Sequence, residues 1–245
     1  QALGVAVITG AARRVGAAIA KALHEAGYDV VIHCHQSIDE ANALVQALNM
    51  QRPDSACMCT ADLSIKSDAK YLIKTEKKKK KRLDILVNNA SNFIKTPVSG
   101  FNDAVWDNLW ALNVKAPFWL SEAAHAFLMQ SDNGNIINIT DIHAEQPLRD
   151  YCVYVQTKAA LKMQTKALAR EYAPDIRVNA VAPGAVILPE GDNALSAVVQ
   201  AQVLEKIALK RWGAPEWVAE SVLSMVSNAY ITGQTIRVDG GRSLG

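Results

Sequence analysis

The sequence predicts an α/β chain folded as a doubly wound parallel sheet of about seven strands flanked by helices, and three observations carry that expectation. Short β-branched runs of about four to six residues alternate along the chain with longer segments of helical periodicity. The runs are apolar at successive positions instead of alternate ones, as strands buried on both faces are. A glycine-bearing turn joins the first run to the first helical segment. Neither a repeat nor a linker divides the 245 residues, so one domain over 1–245 is expected.

Val5-Ala6-Val7-Ile8 reads as the first strand, followed by a helix over 15–26. Asp29-Val30-Val31-Ile32-His33 is the second strand, and a helix over 38–51 is ended by Pro53. Strand three covers 56–60, a basic helix 67–80, and strand four is Leu83-Asp84-Ile85-Leu86-Val87. One long helix over 103–131 precedes strand five at 135–139. Trp106 and Trp110 lie one turn apart on it, a stripe that suits a core or a subunit contact. A helix over 151–172 leads to strand six, Ile176-Arg177-Val178-Asn179-Ala180-Val181, and Thr235-Ile236-Arg237-Val238 is the last strand.

Hydrophobic residues make up 50% of the chain and charged ones 20%, which fits a globular protein and excludes a disordered one. A net charge of +2 is too small a bias to argue for nucleic acid. The run Lys77–Lys81 with Arg82 reads as a solvated helix end. No apolar run approaches the ~20 residues of a membrane span, and no signal segment precedes the first strand, so a cytoplasmic protein is expected. Cys34, Cys57, Cys59 and Cys152 lack C-x-x-C spacing and read as small buried hydrophobes in a reducing compartment, with no metal site.

Thr9-Gly10-Ala11-Ala12-Arg13-Arg14-Val15-Gly16 sits between strand and helix, where a tight turn and helix N–H groups can meet a pyrophosphate. A third glycine would be expected at position 14, where this chain has arginine. Arg14 either faces solvent or carries a guanidinium to phosphate or substrate. An NAD site places a carboxylate roughly 20 residues past the glycines. Here the corner is His33-Cys34-His35-Gln36-Ser37, with no carboxylate before Asp39. Together with Arg13 this neutral corner suits a 2′-phosphate, which predicts NADPH; His35 either contacts it or simply ends the strand. Asp62 and Leu63 follow strand three and are placed for the adenine. Asn89, Ala90 and Ser91 follow strand four at the carboxyl edge of the sheet.

Tyr154 and Lys158 are four apart on one helix and share a face. An ammonium beside a phenol favours the phenolate, so Tyr154 is expected to exchange a proton near neutral pH instead of near about 10. Asp141 lies thirteen residues before Tyr154, where a serine would be expected. A serine hydroxyl can donate to a carbonyl oxygen as it becomes an alkoxide, whereas a carboxylate would repel that oxyanion. Asp141 instead suits a ring C=N that must be protonated at nitrogen.

Thr9-Gly10…Gly16, Asp62-Leu63, Asn88-Asn89-Ala90, Asn113, Tyr154-x-x-x-Lys158, Pro183-Gly184 and Asp239-Gly240-Gly241 together resemble the short-chain dehydrogenase/reductase family across essentially the whole chain. The resemblance implies a Rossmann fold, catalytic Asn113, Tyr154 and Lys158, cofactor contacts from Gly10, Val15, Gly16, Pro183 and Gly184, and a homotetramer packed through the two long middle helices. Arg14, Asp141, the His35-Gln36-Ser37 corner, Asn89–Phe93 and Leu188-Pro189-Glu190-Gly191-Asp192-Asn193 resemble the pteridine reductase branch. That branch implies a pterin or folate lying between nicotinamide and an aromatic ring, the position Phe93 matches; the alternative for Phe93 is a core residue. Arg14, Ser91, Asp141, Tyr154, Leu188 and Pro189 would complete the substrate contacts.

The resemblance further implies that Tyr154 supplies a proton, Asp141 holds or replenishes it, Lys158 binds the nicotinamide ribose, and Asn113 carries a water relay to Lys158. The rival within enzymes is a 3-oxoacyl-carrier-protein or other carbonyl reductase, which predicts serine at 141 and glycine at 14. A catalytically silent NADP-binding regulator is the rival outside enzymes, and it would be free to lose Tyr154, Lys158 or Asn113.

Overall fold

The computed structural model describes residues 2–80, 82–100, 102–188 and 193–245. Pro189, residues 190–192 and Lys81, all named above, lie outside the described residues. Seven parallel strands form one sheet in the order β3-β2-β1-β4-β5-β6-β7. They are β1 (Gly4–Ile8), β2 (Tyr28–Cys34), β3 (Ala56–Thr60), β4 (Ile85–Asn88), β5 (Gly134–Ile139), β6 (Ile176–Pro183) and β7 (Thr235–Val238). The order reverses between β1 and β4, and ligands bind at such a switch point beyond the carboxyl ends of the strands.

Side-chain alternation sorts each strand between two helix layers. Ile8, Ile32, Ile137 and Val181 pack against α1 (Arg14–Glu25), α2 (Ile38–Gln51) and α8 (Pro215–Ser227) through Ile19, Leu48 and Val222. Val7, Val31, Ile136 and Val178 point the other way, onto α3 (Lys66–Lys80), α5 (Ala116–Leu128) and α6 (Cys152–Tyr172) through Leu72, Leu120 and Leu168. Both faces are therefore dry, which is why the strands read as continuous apolar runs. A shorter helix, α7 (Ala197–Lys206), lies beyond β6.

The helix expected over 103–131 is interrupted. It comprises α4 (Asp103–Trp110), a wide π turn over Ala111–Lys115, and α5, which ends at Leu128. The Ala116 N–H reaches the Ala111 carbonyl, five residues back. Pro117 has no N–H to give the Asn113 carbonyl four residues before it, so the ordinary ladder cannot run through this point. The extra residue in the turn swings Asn113 inward, where it is 1% exposed.

Candidate active site

The nucleotide end is built by close backbone approach. Gly10 has φ 59, and a Cβ added at Gly16 would lie 2.3 Å from the Gly10 carbonyl oxygen and 2.6 Å from Asn89 Nδ2. Helix α1 thus begins hard against the turn. No side chain caps it and no acidic residue occupies its first turn, so its leading N–H groups are available to an anion. Gly16→Ala is expected to cost about 1–3 kcal/mol through overpacking against backbone and to weaken nucleotide binding. Chemical denaturation and an NADPH fluorescence titration check this, and a variant matching wild type in both would refute it.

Asn89 braces this turn. Its Nδ2 donates to the Thr9 and Gly10 carbonyls at 2.9 and 3.0 Å, and its N–H donates to Thr9 Oγ1 at 2.9 Å. His33 holds the other side, a role that its strand-end position does not signal in the sequence. Its Nδ1 accepts from the Gly10 N–H at 3.1 Å while Nε2 donates to the Ala61 carbonyl at 3.1 Å, so the ring is neutral in a defined tautomer. Burial pushes its pKa down to about 4, so the brace stays neutral at physiological pH.

The cleft above this turn, about 640 Å³, is lined by Gly10, Arg13, Arg14, Val15 and Gly16 on one side. His35, Gln36 and Ser37 form its far corner, Asp62 and Leu63 its third wall, and Asn89, Ala90 and Ser91 its fourth. The geometry fits a dinucleotide: an uncapped helix start for the pyrophosphate, and a corner without a carboxylate in its wall apart from Asp62. Asp62 accepts from the Ser64 hydroxyl and N–H, bonds that hold its carboxyl below the usual range, and stands 3.9 Å from His35 Nε2. Arg13 pairs loosely with Glu40 at 3.6 Å, both side chains being well exposed.

A second cavity of about 720 Å³ shares Arg13, Arg14, Val15, Asn89 and Ser91 with the first and contains the reacting residues. Tyr154 Oη donates to Asp141 Oδ2 at 2.8 Å. The other carboxylate oxygen, Oδ1, accepts the His143 N–H at 2.8 Å, which caps a short turn over Ile142–Ala144 and fixes the carboxylate. Lys158 is buried, donates to the Ile139 carbonyl at 3.0 Å, and lies 5.7 Å from the Tyr154 ring centre.

These positions correct the expected phenolate. Burial first, then the Asp141 charge and its hydrogen bond, push the Tyr154 phenol well above its ordinary value. Burial also lowers Lys158 to about 8, with Asp141 pulling the other way. The phenol is thus a loaded proton donor. The Asn113 side chain is fully engaged, which leaves its main-chain carbonyl for the expected water relay. Its Oδ1 accepts from Ser91 Oγ and the Asn92 N–H, and its Nδ2 donates to the Asn92 carbonyl and Thr157 Oγ1. All four amide positions are used, so the side chain fixes the loop after β4 and has none left for water.

Arg14 takes φ 56, a left-handed conformation that glycine would hold without strain and arginine holds at a cost of about 1–2 kcal/mol. Its Nη2 donates to the Leu188 carbonyl at 3.1 Å, bridging the glycine turn to the segment after β6. Pro183 and Gly184 line the same cavity. A Cβ at Gly184 would lie 2.6 Å from Asp239 Cβ, which explains why a glycine stands opposite the terminal Asp239-Gly240-Gly241 turn.

Phe93 faces the cavity and is not part of either core cluster. It stacks on Tyr151 at 4.2 Å and 9° between planes, and meets Tyr154 edge-on at 4.8 Å. Asn193 ties the pair: its Nδ2 donates to the Phe93 carbonyl at 2.8 Å and its Oδ1 accepts from Tyr151 Oη at 2.6 Å. Tyr151, His143, Trp212 and Arg242 in this wall were not singled out from the sequence.

Residues 10–243 match the family model described as Enoyl-(Acyl carrier protein) reductase. The chain is 35% identical over 244 residues to granaticin polyketide synthase putative ketoacyl reductase 2 of Streptomyces violaceoruber, covering 98% of this chain and 96% of that protein. It is 35% identical over 281 residues to pteridine reductase 1 of Leishmania tarentolae, with 98% and 96% covered. It is 36% identical over 239 residues to 3-oxoacyl-(acyl-carrier-protein) reductase FabG of Staphylococcus epidermidis, with 96% and 97% covered. Matched over nearly its whole length by a family model and by these reductases, the chain belongs to the short-chain dehydrogenase/reductase family of nicotinamide-dependent oxidoreductases.

Proposed function

We propose that the protein is an NADPH-dependent pterin reductase, and the Asp141–Tyr154 hydrogen bond of 2.8 Å inside the cleft carries this reading. A ketone reductase needs donors around the developing alkoxide. An ionised carboxylate is acceptor-only, and at this position it would face that oxyanion with like charge. A pterin presents ring N–H and amino donors, which a carboxylate complements. The Phe93 ring supplies an aromatic face for a flat heterocycle once Tyr151 or the ring itself yields.

When bound, the nicotinamide supplies the hydride. The chain's residues do the rest. Tyr154 gives its proton to the reduced ring, and Asp141 accepts from the phenol and returns a proton to it from the wet side of the cleft. Lys158 anchors the ribose and offsets the negative charge that Tyr154 acquires. Asn113 contributes through its main-chain carbonyl, which Pro117 cannot engage, and that carbonyl is the acceptor for a relay water. NADPH is favoured over NADH by Arg13 and Arg14 beside the neutral His35-Gln36-Ser37 corner.

A homotetramer is proposed on the exposed apolar side chains of the middle helices, Phe118 on α5 and Met163 on α6. Of the four cysteines expected to be buried, Cys34 and Cys59 are, whereas Cys57 is half-buried and Cys152 is exposed because it opens α6 on the solvent side. No disulfide joins them among the described residues, which suits a reducing cytoplasm. Among the described residues no helix is long and apolar enough to cross a membrane.

Two relatives named as ketoacyl reductases favour a second reading, reduction of a 3-oxoacyl thioester. NADPH oxidation measured with 7,8-dihydrobiopterin and with a 3-oxoacyl thioester separates the two. Turnover is expected with the pterin, and turnover with the thioester alone would sink the pterin assignment.

A further inference from the structure

Arg242 is a charged group in the reacting cavity that the proposed chemistry leaves unused. It opens the short turn Arg242–Leu244, which is held rigidly in the wall. Asp239 accepts from the Gly241 and Ser243 N–H groups at 2.9 and 2.8 Å, and Gln146 Nε2 donates to the Ser243 carbonyl at 2.9 Å. The Gln146 carbonyl in turn accepts from His143 Nδ1 at 3.2 Å. The turn is therefore tied to the same short segment that fixes Asp141.

The Arg242 side chain is half-buried, and among the described residues its guanidinium makes no hydrogen bond or ion pair. Asp141 and Asp239 attract it without pairing with it, and loss of water lowers its pKa. A desolvated guanidinium with empty donors is costly unless a ligand supplies acceptors. The cavity also carries apolar side chains, Leu195 just before α7 and Val199 and Val203 one turn apart on it. At about 720 Å³ the cavity is in the range that holds drug-sized ligands, with room beyond a bicyclic ring.

We propose that Arg242 binds a carboxylate on the substrate's side chain, so that the site prefers pterins with an acidic tail, as folates carry, over those with a neutral hydroxyalkyl tail. The inference rests on the pterin reading above and adds a residue that reads the tail. The flat ring lies by Phe93 and Asp141, the apolar part of the tail runs along Leu195, Val199 and Val203, and the carboxylate meets the Arg242 fork.

The test compares kcat/KM for 7,8-dihydrofolate and 7,8-dihydrobiopterin, with NADPH saturating, in wild type, Arg242→Met and Arg242→Lys. Wild type is expected to prefer dihydrofolate, and Arg242→Met to lower that preference at least about tenfold. Arg242→Lys should restore much of it, and added salt should raise the dihydrofolate KM in wild type but not in Arg242→Met. A preference unchanged within twofold in Arg242→Met, with wild type active on both substrates, overturns the proposal alone. Wild type that reduces neither pterin but turns over a 3-oxoacyl thioester overturns the pterin reading and this inference with it.

Discussion

Asp141→Ser is expected to lower kcat/KM for 7,8-dihydrobiopterin by at least about 100-fold while the NADPH dissociation constant moves less than about threefold. Asp141 touches Tyr154 and caps the Ile142–Ala144 turn, but it is not in the wall of the nucleotide cleft. Its loss should therefore reach the proton and not the cofactor. A serine in its place can still donate or accept towards Tyr154, so the phenol remains positioned, but the carboxylate that raises the phenol and complements ring donors is gone. Steady-state kinetics and a fluorescence titration read the two quantities separately. Pterin turnover surviving within a few-fold would deny Asp141 any chemical role.

Lys158→Met should produce the opposite pairing of effects, a more stable protein that no longer turns over. Burial depresses the Lys158 pKa to about 8 from an ordinary 10.5. A lysine whose folded pKa lies below its unfolded value binds its proton more weakly when folded. Retaining the charge thus costs stability in full below about pH 8, less as pH rises towards 10.5, and nothing above that. The shift corresponds to at most about 3 kcal/mol, and the Ile139 carbonyl left without its donor returns part of it. A gain of on the order of 1–2 kcal/mol at pH 7 is expected in the cofactor-free protein, fading by pH 10.5, with kcat/KM down at least about 100-fold. Urea denaturation at both pH values checks this; destabilisation at pH 7 would mean that the buried ammonium is a net brace.

The strands were legible because both faces of the sheet are covered, so Val7 and Ile8 are equally apolar although they point into different layers. The Tyr154–Lys158 spacing and the Gly10–Gly16 turn were legible for a local reason: one helix and one turn place them. What escaped was whatever depended on contacts between distant segments. His33 reads as one more strand residue until the turn at Gly10 is seen resting on its ring, 23 positions away. The Tyr154 ionisation does not follow from the lysine on its own helix, because it depends first on the burial of the phenol and then on the Asp141 carboxylate, which comes from the end of β5. The break in the middle helix had a visible signal, Pro117, whose missing N–H falls opposite Asn113. Arg242 had none, since its place in the cavity depends on how the terminal turn folds back onto Gln146.

The strand order has a consequence for how such a protein changes its work. With the reversal lying between β1 and β4, the turn after β1 and the ends of β2 and β3 hold one end of the ligand pair, while the ends of β5 and β6 and the terminal turn hold the other. The two halves meet mainly along Arg13, Arg14, Val15, Asn89 and Ser91. A lineage can therefore rebuild the second half while inheriting the first intact. Relatives named for ketoacyl and for pteridine reduction accordingly stand at nearly the same distance from this chain.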